Sequence, residues 1–165
     1  VNQRTNLFNT SVIENIQYGN NESEDNIMNI LQKYDLDIVF SKLKQGVYTQ
    51  AGVNGGSLSL GMQKVTMIMR GILRGGQVVV LDEPLAGLDE NTRKKVLRFI
   101  SDFCKNVTLI IITHDKDAFQ ITDRVLEFGT VNLPVQKNDQ ESMRNQSVPE
   151  HFSVIERLTN FFGSA

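Results

Sequence analysis

Two adjacent carboxylates, Asp82 and Glu83, follow four apolar residues at positions 78–81, and Pro84 comes directly after them. The apolar run predicts a buried strand. Strands of this kind carry acids to the edge of a sheet, where one acid can hold Mg²⁺ and another can activate water. A strand that leads into a turn can also end in acids without any catalytic role, and Pro84 would stop strand pairing whatever the function. The pair therefore gains its weight from the segments around it.

The elements around the carboxylates predict an α/β fold. Helical spacing of apolar residues extends from Ser23 to about Leu43, with Ser23 as N-cap, and again over 60–73 and 91–104. Short apolar runs at 78–81, 107–112 and 124–128 predict strands. The order strand, helix, strand implies a parallel sheet covered on both faces. Residues 132–148 are polar and predict a linker, and Phe152, Ile155, Leu158 and Phe162 predict a final amphipathic helix.

Composition limits the classes of protein that remain. The 165 residues are 40% hydrophobic, enough to bury one core, and the net charge of -2 argues against a nucleic-acid partner. The lone Cys104 is expected to be a packing residue in a reducing compartment. No apolar run approaches the roughly 20 residues that span a bilayer.

Four motifs stand in a fixed order around the carboxylate strand. The carboxylate strand is one of them. The other three are Leu58-Ser59-Leu60-Gly61-Met62-Gln63-Lys64 upstream, Leu85-Ala86-Gly87-Leu88-Asp89 downstream, and Thr113-His114-Asp115 after the second strand. Together they resemble the nucleotide-binding domain of an ATP-binding cassette (ABC) ATPase, a P-loop NTPase-type fold with a helical signature subdomain. The signature motif aligns with 58–62, Walker B with 78–83, the D-loop with 86–89 and the H-loop with His114.

The first residues narrow the resemblance. Val1-Asn2-Gln3, Leu7-Phe8, Ser11-Val12-Ile13-Glu14-Asn15-Ile16 and Tyr18-Gly19 look like the Q-loop region of ABC exporters, where the domain meets its transmembrane partner. Residues 49–56 resemble the exporter X-loop, with Val53 where that loop usually carries Glu. The stretches 62–64 and 83–89 look more like importer cassettes, so the direction of transport stays open. The resemblance covers 1–131.

The resemblance implies a role for each matched residue, with ATP and Mg²⁺ as cofactors. Asp82 would hold Mg²⁺, Glu83 would polarise the attacking water, and His114 would contact the γ-phosphate. Gln3 would sense the γ-phosphate or Mg²⁺. The signature residues Ser59, Gly61 and Met62 would place a helix N-terminus against the ATP of a second subunit. Asp89 would shape the dimer interface, and it also fits an N-cap for the helix beginning near Asn91.

Two departures from the family pattern qualify these roles. Leu60 stands at the first of two signature glycines, where its bulk and its lack of access to positive φ predict a weakened composite site. The sequence Gly-x-x-x-x-Gly-Lys-Ser/Thr, which supplies the phosphate-binding loop, is absent from the 165 residues. We therefore expect an N-terminally incomplete domain, truncated just before Val1, that is inactive and binds ATP weakly on its own.

The resulting organisation is a partial ABC ATPase domain over 1–131 and a linker with a C-terminal helix over 132–165. The domain divides into the Q-loop region (1–22), the helical signature subdomain (23–75) and the core with Walker B, D-loop and H-loop (76–131). The favoured function is the ATP-hydrolysing part of an ABC transporter on the cytoplasmic face of a membrane. Its expected partners are a transmembrane domain, contacted through the Q-loop region, and a second nucleotide-binding domain, identical or different. Two alternatives are a soluble ABC ATPase and a catalytically degenerate ABC partner half.

Overall fold

The computed structural model describes residues 6–128 and 152–157. Four helices and four strands form the main elements. In chain order they are α1 (Val12–Gln17), α2 (Glu24–Lys33), α3 (Leu60–Leu73), β1 (Val78–Asp82), α4 (Glu90–Phe103), β2 (Thr108–Thr113), β3 (Arg124–Phe128) and β4 (Phe152–Arg157). Short 3₁₀ turns lie at Asp37–Phe40, Gly46–Tyr48, Val53–Gly55 and Lys116–Ile121.

The four strands form one sheet in the order β1-β2-β4-β3. Strands β1 and β2 are parallel, with Val78 opposite Thr108 and Asp82 opposite Ile112. Strand β4 runs antiparallel to both of its neighbours. The carboxyl ends of β1 and β2 therefore lie side by side, which brings the Asp82-Glu83 pair next to the residues that follow β2. The predicted α/β fold and the parallel pairing of β1 and β2 are confirmed, whereas β4 makes the sheet mixed.

Most predicted elements match the structure closely. Helix α3 has the predicted bounds, and α4 and the first three strands agree to within a residue at each end. Ser23 caps α2 as predicted, because its hydroxyl accepts a hydrogen bond from the Asn26 N–H at 3.2 Å. Cys104 is buried at the end of α4, which confirms its packing role.

The prediction of helix up to Leu43 is wrong. Helix α2 ends at Lys33, because Asp35 adopts a left-handed backbone with φ of 54°. The Leu36 N–H bonds to the Leu31 carbonyl at 2.8 Å, and the Asp35 N–H bonds to Gln32 at 3.1 Å. This pair of bonds is a Schellman motif, which satisfies the last carbonyls of a helix and turns the chain away from its axis. The apolar spacing continues beyond it, but over a 3₁₀ turn.

The prediction of a C-terminal amphipathic helix is wrong for 152–157, which form β4. The spacing of Phe152 and Ile155 fits a helical face, but the backbone of this segment supplies hydrogen-bond partners to both β2 and β3. A ladder on each side satisfies its N–H and C=O groups as fully as a helix would, so tertiary pairing decides the outcome. The predicted linker at 132–148 and the positions 158–165 lie outside the described residues.

The core lies between one face of the sheet and the helices. Leu81, Leu109 and Ile111 point to that face and are fully buried, together with Phe99 and Ile100 of α4. On the opposite face Val78 and Val80 are 57% and 44% exposed. Within the described part of the chain, helices therefore do not cover both faces of β1, contrary to the prediction. No helix of residues 6–128 is long and apolar enough to cross a membrane.

Candidate functional site

Asp82 and Glu83 lie at the carboxyl end of β1, beside the end of β2. The Glu83 N–H continues the ladder between the strands by donating to the Ile112 carbonyl at 2.8 Å. Asp82 is half-buried and Glu83 is buried, with 5% of its surface exposed. The two acids thus occupy different environments although they are adjacent in sequence, which suits them to different tasks.

The Glu83 carboxylate is held by residues that follow β2. Its Oε2 accepts a hydrogen bond from the Thr113 hydroxyl at 3.0 Å, and its Oε1 accepts one from the His114 N–H at 3.3 Å. The His114 Nδ1 lies 2.9 Å from the same Oε1 and donates to it when the proton is on Nδ1. The structure therefore brings together two of the predicted catalytic residues, Glu83 and His114, and adds Thr113 to them.

The backbone of Glu83 is strained. Its φ is +45°, a left-handed value that costs a non-glycine residue roughly 1–2 kcal/mol. The residue also precedes Pro84, which restricts it further. The strain turns the chain sharply at the end of β1, into a turn closed by the Ala86 N–H, which donates to the Glu83 carbonyl at 3.3 Å. Such strain persists where the surrounding structure holds it in place.

A lysine to which the sequence analysis gave no role reaches this turn. The Lys64 Nζ donates to the Glu83 carbonyl at 2.9 Å. Burial lowers the pKa of Lys64, and the carboxylates of Asp82 and Glu83 oppose that shift. The signal in the sequence was a charge inside the apolar pattern of α3, between the buried Met62 and Val65.

Arg93 connects the turn after β1 to the loop after β2. Its Nη1 lies 2.9 Å from the Asp115 Oδ2, and its Nε donates to the Leu88 carbonyl at 3.2 Å. Leu88 belongs to the predicted D-loop and Asp115 to the predicted H-loop. Arg93 was missed because it begins the basic run Arg93-Lys94-Lys95, which resembles any solvated helix face.

The predicted signature residues form the start of α3. The Ser59 hydroxyl is the N-cap and accepts a hydrogen bond from the Met62 N–H at 3.3 Å. Leu60 is the first residue of the helix and is 77% exposed, and Gly61 follows it. Neither Leu60 nor Gly61 has a positive φ, so the expected conformational penalty at Leu60 does not arise, whereas its bulk at the surface remains. The Met62 side chain is buried.

A cavity of about 670 Å³ lies between this helix start and the D-loop. Its lining includes Ser59, Leu60, Gly61, Gly87 and Asp89, and it contains none of Asp82, Glu83 and His114. The signature residues and the carboxylates are therefore two separate surfaces of the chain.

Asp89 is the N-cap of α4, as the sequence predicted for its structural role. Its carboxylate accepts hydrogen bonds from the Thr92 N–H at 3.0 Å and the Thr92 hydroxyl at 2.7 Å. These two bonds hold the pKa of Asp89 below its ordinary value. Its role at a dimer interface stays a prediction.

The donors at the β1 edge fit magnesium bound together with phosphates. Within 6–128 and 152–157, no cluster of three or more His, Cys, Asp or Glu side chains could enclose a metal ion. Mg²⁺ keeps several waters and is commonly bound by one or two carboxylates plus substrate phosphates. The half-buried Asp82 provides one such carboxylate, so the residues present fit this mode of binding and not an all-protein metal cage.

The Q-loop region is organised by one buried amide, and Gln3 lies outside the described residues. Asn15 is fully buried and accepts a hydrogen bond from the Phe8 N–H at 2.9 Å. Its Nδ2 donates to the Phe8 carbonyl at 3.0 Å, the Thr10 hydroxyl at 3.1 Å and the Ser11 carbonyl at 3.0 Å. Ser11 and Glu14 form a capping box at the start of α1. The loop 8–11 is therefore fixed to α1.

Phe8 and Tyr18 form an exposed aromatic pair beside this loop. Their ring centroids are 4.4 Å apart, and the Arg70 guanidinium lies 5.2 Å from the centre of the Phe8 ring. A cavity of about 410 Å³ opens here, which we call the aromatic groove; its lining is Asn6, Phe8, Tyr18, Met67, Arg70, Gly71 and Arg74. Large exposed aromatic groups in a concave surface are typical of a protein-binding site.

The fold and site define a nucleotide-binding domain of the P-loop NTPase type, and comparisons with known proteins agree. A family model described as ABC transporter matches residues 1–86. The ATP-dependent lipid A-core flippase of Vibrio vulnificus is 30% identical over 128 residues, which is 76% of this chain and 22% of the relative. The glutathione/L-cysteine transport system ATP-binding/permease protein CydC of Haemophilus influenzae is 27% identical over 158 residues, 94% of this chain and 27% of the relative.

A solved structure agrees with these relatives. A bacterial Atm1-family ABC exporter with ATP bound superposes with a TM-score of 0.62 at 26% identity, over 73% of this chain and 21% of that chain. The chain belongs to the ABC transporter family. It spans between 21% and 27% of the length of these three proteins.

Proposed function

We propose that this chain forms part of the ATP-binding and ATP-hydrolysing domain of an ABC transporter of the exporter type. The observation that carries the proposal is the buried Glu83 carboxylate at the end of β1, held by Thr113 and His114 beside the half-buried Asp82. A carboxylate fixed in this way can accept a proton from water, which contributes roughly 10²- to 10⁴-fold to a hydrolysis rate. The named relatives include a flippase and an ATP-binding/permease protein, which favours transport over a soluble ABC ATPase.

The roles of the site residues follow from their positions. Asp82 would hold Mg²⁺, and Mg²⁺ bound with ATP supplies charge neutralisation at the phosphates. Glu83 orients and deprotonates the attacking water, and His114 both holds Glu83 and presents a half-exposed imidazole to a phosphate oxygen. Gln3 keeps its proposed role as a sensor of the γ-phosphate or Mg²⁺.

A second nucleotide-binding domain, identical or different, is proposed as partner because the signature residues and the carboxylates lie on separate surfaces. Ser59 and Gly61 present the N-terminus of a fourteen-residue helix to the 670 Å³ cavity, and free N–H groups there attract an anion. With Met62 and Asp89 they would bind the ATP held by the carboxylate surface of the partner. The proposal divides the chain into the ATPase portion 1–131, with its three parts at 1–22, 23–75 and 76–131, and the segment 132–165.

The aromatic groove supports a transmembrane partner. It lies in the Q-loop region and combines the exposed Phe8 and Tyr18 with Arg70 and Arg74. Such a groove suits a short helix with apolar and acidic or carbonyl groups at its tip. The proposed location is the cytoplasmic face of a membrane, where closure of two nucleotide-binding domains would move the transmembrane helices.

The proposal is tested by Glu83→Gln in the full-length protein. This change keeps the size of the side chain and removes the negative charge, so ATP binding should be retained while turnover falls at least 100-fold, within the range for a general base. ATP affinity is measured by equilibrium titration and turnover by phosphate release. The exposed Glu127 on β3 provides the control, because Glu127→Gln should leave both quantities unchanged. Full turnover by Glu83→Gln would exclude Glu83 as the base.

One observation favours the alternative of a degenerate partner half. The exposed Leu60 stands at the start of α3, where it adds bulk to the surface that would meet the ATP of the partner. This weakens the composite site built from this signature segment, and it leaves the Glu83 site of the same chain intact.

A further inference from the structure

The geometry points to Lys64 as a positioning residue that holds the strained Glu83 backbone and thereby aims its carboxylate. The Nζ of Lys64, a residue of α3, donates to the Glu83 carbonyl at 2.9 Å. This role rests on the proposed function, because it presupposes that Glu83 activates water.

The peptide groups around Glu83 are held from three sides. The Glu83 N–H bonds to β2, and the Glu83 carbonyl accepts from the Ala86 N–H within the turn and from Lys64 across it. The Lys64 bond ties this turn to α3, and its donor carries a positive charge, which makes the bond stronger than a neutral one. A residue at a left-handed φ returns to an extended or helical backbone when such support is removed.

A lysine is a costly choice at this position if it serves packing alone. Lys64 is half-buried in a helix whose neighbouring positions Val65 and Ile68 are buried in the core. An apolar residue would fill the same space without desolvation of an ammonium group. The ammonium is compensated by the Glu83 carbonyl and by the field of the Asp82 and Glu83 carboxylates, so the lysine fits this site and not a generic core position.

Lys64 also connects the two candidate surfaces of the chain, because it lies on the same helix as the signature residues and bonds to Glu83. Ser59, the N-cap of α3, is five residues before Lys64, a rise of about 7.5 Å along the helix. A displacement of the helix start therefore moves Nζ and the Glu83 carbonyl together. This bond connects the helix of the signature surface to the water-activating acid of the same chain.

The test compares Lys64→Met, Lys64→Arg and the control Lys44→Met, at an exposed lysine, in the full-length protein. We expect Lys64→Met to lower kcat about ten- to a hundred-fold, the range for loss of a hydrogen bond to a charged group. ATP affinity and the number of ATP molecules bound per chain should stay unchanged. Lys64→Arg, which retains the charge and the donors, should restore kcat to within about three-fold of the unmodified protein.

A double substitution separates positioning from a general effect on the fold. If Lys64 acts through Glu83, then Lys64→Met added to Glu83→Gln should change the residual single-turnover rate by less than about two-fold. If the double variant instead loses rate by the product of the two single losses, the inference is overturned. A kcat of Lys64→Met within two-fold of the unmodified protein would overturn it as well. If Lys64→Met does not fold, Lys64→Gln carries the same test.

The same experiments distinguish the two proposals. Full turnover by Glu83→Gln would overturn the proposed function, and the role of Lys64 with it. An inactive Glu83→Gln together with a fully active Lys64→Met would overturn the role of Lys64 alone.

Discussion

The substitution Asn15→Ala should loosen the Q-loop region without disturbing the rest of the domain. The Asn15 side chain is fully buried and contacts three residues of the loop that leads into α1. Alanine retains the helix and removes all of these hydrogen bonds. The contacts of Asn15 are concentrated in residues 8–11, and the Asn15 Oδ1 also accepts a long hydrogen bond of 3.5 Å from the Arg70 Nη1 of α3. The main effect is therefore expected on local stability.

The size of the destabilisation depends on which hydrogen bonds the partners of Asn15 keep after the substitution. The Phe8 carbonyl still accepts from the Thr10 N–H at 2.8 Å, and the Ser11 carbonyl still accepts from the Asn15 N–H at 3.0 Å. The Phe8 N–H loses the acceptor that Asn15 provides, which costs about 1–3 kcal/mol if water does not replace it. With about 1 kcal/mol for the remaining bonds, local opening becomes easier by about 2–4 kcal/mol.

Amide hydrogen exchange of the full-length protein, read by mass spectrometry on peptides from 6–18, measures this opening directly. Because 1.4 kcal/mol is a factor of ten, exchange of the protected amides should accelerate about 30- to 1,000-fold. The control is Asn26→Ala, at an exposed asparagine whose side chain bonds to Glu22. That variant should leave the 6–18 peptides unchanged. An exchange rate within about three-fold of the unmodified protein for Asn15→Ala would refute the reasoning.

Two further predictions concern Leu60 and Asp89. Leu60→Gly in the full-length dimer should raise ATPase activity several-fold, because it removes the bulk of a 77% exposed side chain from the signature surface; unchanged activity would show that Leu60 does not weaken the site. Asp89→Asn should change the dependence of stability on pH. The ordinary pKa of Asp89 is 3.8 and the Thr92 hydrogen bonds lower it in the folded chain, so the stabilisation is fully present above about pH 4 and is lost as pH falls through the lowered value. The difference in melting temperature between the unmodified protein and the Asp89→Asn variant should therefore narrow from pH 5 to pH 3; a constant difference would contradict the assignment.

The local part of the fold could be predicted from the sequence because its signals are local. The apolar period and the serine cap give α3 its bounds, and four consecutive apolar residues mark β1. The proximity of Glu83 and His114 was also predictable. Parallel strands end at the same edge of a sheet, so residues that follow β1 and β2 must come together.

The features that were missed depend on pairing in space. Nothing in the apolar pattern of 152–157 shows that a strand position is open between β2 and β3. The Schellman motif at Asp35 uses a residue other than glycine, so its usual marker was absent. The contacts of Lys64 and Arg93 join elements 19 and 22 residues apart in sequence, and their charges alone do not identify those partners.

The left-handed backbone of Glu83 has a consequence for how such a domain evolves. Glycine or asparagine accepts this conformation more easily than glutamate, so exchange of Glu83 for either would relieve up to roughly 1–2 kcal/mol of strain. Either exchange would also remove the buried carboxylate that accepts hydrogen bonds from the Thr113 hydroxyl and the His114 N–H, at about 0.5–1.5 kcal/mol each. The relief of strain and the loss of these bonds are of similar size. The stability of the fold therefore gives little preference for glutamate at position 83, and the proposed activation of water supplies a reason for its presence.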